Sequence, residues 1–300
     1  MGQFRVATAG CGVLFGLFIL ASTATIAAAE DDDAAEIDSE NIFGFTSGSD
    51  VNEAGEQEVE FGLTGAFGRQ REAPGSSRFR AWEAEIEYAY GVTPDMTLGL
   101  GASFAHFDIR NIAELEDTRA GGFNGLSAGL KYRFQSWQDA PFGLALSIEP
   151  EWSRHEDGSG ELADSYELPI TLILDRELSP GKLWGALNLT YAPEWTHGDE
   201  GTEKEASLEL AGALSWQVSD GVFLGGELRY LTSYEGVALK HREGEALYAG
   251  PSLYMRLSDQ AYVKAAVSWQ VSGSSPESEG SRDLVDHERQ MVTIGAGFEF

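Results

Sequence analysis

The chain has 300 residues, 49 acidic against 20 basic, and a formal charge of −29, so it repels phosphate and no nucleic-acid partner is expected. Its single cysteine, Cys11, lies in an N-terminal export segment, which leaves the mature chain without disulfide or thiolate chemistry. The 36 glycines and a mean hydropathy of −0.22 suit long strands whose greasy and wet faces average out.

At the N-terminus Arg5 supplies a positive charge, Val13 to Leu20 a short apolar core, and Ala27-Ala28-Ala29 an A-x-A cleavage site. Residues 1–29 therefore read as a cleaved signal peptide, too short in its apolar part for a confident spanning helix. Residues 30–56 follow as an acidic N-terminal segment expected in the periplasm, and residues 57–300 as one domain.

That domain alternates with period two, the mark of strands that have one apolar face. Twelve strands are predicted: 57–68, 79–90, 96–107, 123–135, 142–153, 164–176, 182–196, 204–218, 222–235, 245–257, 260–272 and 289–300. In the second, Trp82, Ala84, Ile86, Tyr88 and Tyr90 oppose Glu83, Glu85 and Glu87. In the eighth, Leu208, Leu210, Leu214 and Trp216 oppose Glu205, Glu209 and Gln217. The central apolar phase carries no charge; Arg80 sits on it only at a strand end. A charge facing lipid at mid-membrane costs roughly 2–4 kcal/mol for Arg or Lys, so the register should be firmly set.

Connections after the even strands are short, such as Gly91 to Asp95 and Ser258-Asp259, whereas Asp108 to Gly122, Arg154 to Ala163 and Gly273 to Glu288 are long and polar. Aromatic residues gather near both strand ends. The expected fold is all-β: a transmembrane antiparallel up-and-down β-barrel of about twelve strands, with short periplasmic turns and longer outer loops. A soluble sandwich would also alternate, but it would need a very large dry core. Pro150, Pro169, Pro193 and Pro251 fall within these strands and demand bulges or strand ends.

The last strand alternates through Val292, Ile294, Ala296 and Phe298 to a terminal Phe300. Phe298-Glu299-Phe300 resembles the terminal signature of Gram-negative outer-membrane β-barrel proteins. The stretch Phe43-Gly44-Phe45-Thr46-Ser47-Gly48-Ser49-Asp50, followed by Glu53, Gly55 and Glu56, is similar to the start of uncharacterised porin-like proteins of that class. The resemblance implies a place in the cell outer membrane after export through the periplasm. It also implies the barrel assembly machinery, membrane lipid and lipopolysaccharide as partners. It transfers no catalytic residue.

The inward phase is rich in acids. Glu83, Glu85, Glu87, Glu149, Glu167, Glu205, Glu209 and Glu227 outnumber Lys131, Arg133, Arg229, Arg256 and Lys264 on that face. This predicts a lumen whose field favours cations, and hence a passive pore for small hydrophilic solutes. The alternative is a non-conducting surface barrel filled by an internal salt-bridge network, since twelve strands lie between filled and open barrels. An outer-membrane lipase or protease is the third possibility, but His106 and Asp286-His287 sit in no recognisable motif, so no enzyme is expected. His155, His197, His241 and His287 lie in four charged outer loops. They would make a metal site only if the loops converged, and acidic loops could hold divalent cations. No cofactor is expected.

Overall fold

The computed structural model describes residues 38–69, 77–112, 115–156, 158–198, 201–276, 278 and 280–300. The signal peptide and the start of the acidic segment lie outside the described residues.

Fourteen strand segments follow in order: β1 (Gln57–Phe67), β2 (Arg78–Thr93), β3 (Met96–Arg110), β4 (Thr118–Gln135), β5 (Gly143–Ile148), β6 (Glu151–His155), β7 (Leu162–Glu167), β8 (Ile170–Ser179), β9 (Leu183–Gly198), β10 (Gly201–Ser219), β11 (Val222–Glu235), β12 (His241–Ser258), β13 (Ala261–Ser274) and β14 (Gln290–Glu299). They form one antiparallel sheet closed on itself as a twelve-strand barrel. Two predicted strands are each split by proline. β5 and β6 make one wall strand broken at Glu149-Pro150, and β7 and β8 make another broken at Leu168-Pro169. Proline has no N–H for the ladder, yet its carbonyls still accept: Ala128 N–H donates to Pro150 and Glu149 N–H to Pro169, both at 3.0 Å.

The outward phase is apolar and exposed. Leu100, Leu126, Leu214 and Trp216 are each more than half exposed, as a lipid-facing wall requires. Short turns join strands at one end, here the turn end; longer connections lie at the other, the loop end.

The barrel closes where β14 pairs with β1, from Glu58 opposite Glu299 to Phe67 opposite Gln290. Phe300 N–H donates to the Gln57 carbonyl at 2.8 Å. Gly295 and Gly297 make room at this seam: a Cβ on them would meet the Lys264 side chain at 2.7 Å and the Tyr262 ring at 2.3 Å. Both β13 side chains thus lie across β14 and reach β1. The Tyr262 hydroxyl donates to Glu58 at 2.6 Å, and Lys264 Nζ stands 2.8 Å from Glu60.

Candidate functional site

The segment expected to stand apart in the periplasm instead enters the barrel from Ser39 to Asn52. Its short polar and apolar residues cannot satisfy their own backbone groups, and the wall does so. Glu227 of β11 accepts the N–H groups of Gly44, Phe45 (2.9 Å) and Thr46 (3.3 Å). Asp175 of β8 accepts from the Ser39 hydroxyl, the Ser49 N–H at 3.0 Å and the Ser49 hydroxyl at 2.6 Å. Ile42 and Phe43, each 1% exposed, pack with Trp184, Phe223, Tyr254 and Tyr262 near the turn end.

The basic residues of the inward phase hold this segment. Lys131 pairs with Glu40 at 2.6 Å, Arg133 with Asp50 at 3.1 Å, and Lys264 donates to Asn41 at 2.8 Å. Arg229 grips Glu209 through two hydrogen bonds, 2.6 and 2.9 Å, and its guanidinium lies 4.3 Å from the centre of the Phe45 ring. Arg256, expected on the ion path, pairs with Asp220 of the β10–β11 turn at 3.2 Å. Sequence reasoning placed the wall charges and missed their partner. The apolar run Ile42-Phe43-Gly44-Phe45 in a largely polar tail was the available signal.

Against the inserted segment lies a cavity of about 150 Å³, bounded by Glu58, Glu60, Glu87, Glu149, Lys131 and Lys264 and by hydroxyls such as Thr97 and Thr190. Next to it runs an acidic belt. Cross-strand register sets Glu151 opposite Glu167, Glu167 opposite Glu194, Glu194 opposite Glu205, and Glu205 opposite Glu235. Five glutamates on five adjacent wall strands therefore stand side by side on the lumen face. Glu83 and Glu85 continue the acidic wall on β2, with Glu85 accepting from Ser127 at 2.9 Å.

At the loop end an apolar cluster of Phe79, Phe107, Ile109 and Ile112 fills the lumen from the wall. Phe79, Phe107 and Ile109 lie on the inward phase, which the sequence reads as rich in acids. The four loop histidines do not converge. His155 is buried, with Nδ1 3.0 Å from Asn124 Oδ1; His197 stacks edge-on against Tyr166; His241 is exposed at the start of β12. His287 is 3% exposed in the β13–β14 loop. Burial, then the charge of Arg69, holds its imidazole down to about 3 and so neutral, while burial and Asp283 push the Asp286 carboxyl up to about 8. His106 is exposed on the outward face of β3. Among the described residues no three His, Cys, Asp or Glu side chains form a ready-made metal-binding group.

With this geometry in view, the match of the chain to known families is decisive over residues 35–300. It belongs to a family of unknown function, DUF6662. The match takes in the inserted segment as well as every wall strand, so both are parts of the DUF6662 unit. No curated protein matches the chain in sequence. Among solved structures it is similar to the COG4313 outer membrane channel from Pseudomonas putida F1, at 14% identity and a TM-score of 0.57, over 84% of this chain and 98% of that one. It is also similar to the NanC porin, at 9% identity and 0.47, over 81% and 98%. The translocator domain of autotransporter NalP from Neisseria meningitidis matches at 13% and 0.47, over 84% and 91%. At such identities the likeness is one of fold. The DUF6662 chain is an outer-membrane-type β-barrel.

Proposed function

We propose that the protein is an outer-membrane channel that favours small cationic or neutral hydrophilic solutes, closed in the conformation described by its own segment 39–52. The observation that carries this reading is the belt from Glu151 to Glu235. Like charges directly opposite each other destabilise a sheet, and the register sets these five acids opposite one another on neighbouring strands. A negative lumen wall leading to an acidic cavity is the arrangement that concentrates cations in a pore. The Pseudomonas putida neighbour is an outer membrane channel, which agrees with the reading.

A second reading has an observation of its own. The lumen is filled by the inserted segment, which is what a non-conducting structural barrel would show. Planar-bilayer recording separates the two. The mature chain should open rarely, and a variant lacking 39–52 should give discrete conductance steps. Under a KCl gradient its reversal potential should lie on the cation side. A folded deletion variant that stays silent would establish the structural reading instead.

A further inference from the structure

The outward face of β2, β3 and β4 is apolar up to Phe104 and Phe123, whose rings meet edge-on at 5.8 Å, and changes character beyond them toward the loop end. Register sets Arg80 opposite Asp108 and Asp108 opposite Arg119, with Arg78 opposite Arg110 two residues further out. All four arginines are exposed, and all four lie on the phase that carries the lipid-facing side chains. In a chain of charge −29, four arginines gathered around one aspartate reverse the local sign. Asp108 accepts from Arg78 and from Arg110, each at 2.9 Å, which fixes two guanidiniums side by side. Arg80 and Arg119, on either side of Asp108, have no ion pair among the described residues. Asp117 of the β3–β4 loop accepts the Asn111 N–H at 2.8 Å.

Neighbouring strands lie about 4.8 Å apart and same-face residues of one strand about 6.6 Å apart, so the four arginines spring from a patch roughly 10 Å wide, just beyond the lipid-facing rings. A guanidinium takes two phosphate oxygens at once through its planar fork, and like charges held this close repel until an anion joins them. In a barrel with short periplasmic turns, the end with long loops faces the outer leaflet. We infer that Arg78, Arg80, Arg110 and Arg119 form a docking surface for the phosphate-bearing headgroup of the outer-leaflet glycolipid, lipopolysaccharide, with acyl chains lying over Phe104 and Phe123. A headgroup carrying two phosphates suits the two pairs, Arg78 with Arg110 and Arg80 with Arg119, better than the single phosphate of a phospholipid. The surface lies outside the wall, so the inference is independent of whether the barrel conducts.

Native mass spectrometry of the refolded mature chain in detergent tests it, with three probes: lipid A bearing both phosphates, dephosphorylated lipid A, and phosphatidylglycerol. The expected result is one phosphorylated lipid A per chain, held more tightly than either of the other lipids and released as salt rises. Arg80→Gln combined with Arg119→Gln should weaken that binding roughly tenfold, since hydrogen bonds between charged groups are the strong ones. Arg242→Gln, which removes a loop-end arginine already paired with Glu245 at 2.5 Å, should change nothing. If the double variant fails to fold, the ranking of the three lipids on the wild type still decides. Equal affinity for phosphorylated and dephosphorylated lipid A, or unchanged affinity in the folded double variant, would overturn the proposal. Tighter binding of phosphatidylglycerol would overturn it too, and would give the patch to phospholipid instead.

Discussion

At the turn end the lumen is closed by one segment continuous with the wall only through Gln57, whereas at the loop end it is closed by loops anchored to strands on both sides. The first closure rests on Ile42 and Phe43 in an aromatic pocket and on backbone N–H groups donated to Glu227 and Asp175. The second rests on Phe79, Phe107 and Ile109 projecting from the wall itself, beneath loops carrying the Arg69–Glu288 pair. Withdrawing the inserted segment would break no strand pair. Clearing the loop end would require side chains of β2 and β3 to leave their own strands. The contrast marks the segment as the movable part and the loop-end cluster as part of the scaffold.

Glu227→Ala should break the contrast hardest. It orphans three backbone donors of the segment at once, and each unsatisfied buried donor costs about 1–3 kcal/mol. The segment should then be cut by added protease at concentrations that spare the wild type, and channel openings should become frequent. A segment as protected as before would mean that its place does not depend on these bonds. Phe43→Ala comes next. It removes a ring that is 1% exposed, at about 3 kcal/mol, and should release the segment to the same protease without lowering the thermal stability of the wall.

Phe107→Ala tests the other half of the comparison. The ring is 2% exposed, so its loss should again cost about 3 kcal/mol, but from the barrel itself. The unfolding temperature should fall while the protection of residues 39–52 stays as it was. If Phe107→Ala instead exposed the segment, the two closures would be coupled and the distinction between them would fail.

These residues also show what could be read in the sequence. The alternation of Glu83, Glu85 and Glu87 against Ile86 and Tyr88 placed the wall, because lipid on one side forces period two locally. Phe298 and Phe300 located the closing strand for the same reason. Pro150 and Pro169 announced interruptions, though not that one wall strand would become two segments. The inserted segment was illegible because nothing local holds it: Gly44 to Thr46 find their acceptor at Glu227, more than 180 residues away. Phe79 and Phe107 were obscured by a rule too simple for the loop end, where the inward phase stops facing water. Arg78, Arg80, Arg110 and Arg119 come together only through pairing of β2 with β3 and β3 with β4, which no spacing in the chain reveals.

The smallest expected effect concerns the belt between the two closures. Glu194→Gln combined with Glu205→Gln removes two of five adjacent charges while keeping every side-chain volume. In the variant lacking 39–52, the reversal potential under a salt gradient should move toward zero, and the shift should shrink as ionic strength rises, because a field at the wall of a watery pore is screened over about 10 Å at 0.1 M salt. The same pair of changes removes like-charge contacts worth about 0.2–1 kcal/mol each and should raise stability slightly. A gain in stability with no change in reversal potential would place the ion path away from β9 and β10. A change in potential with no gain in stability would mean that cations already neutralise the belt at rest, leaving no repulsion for the glutamines to relieve.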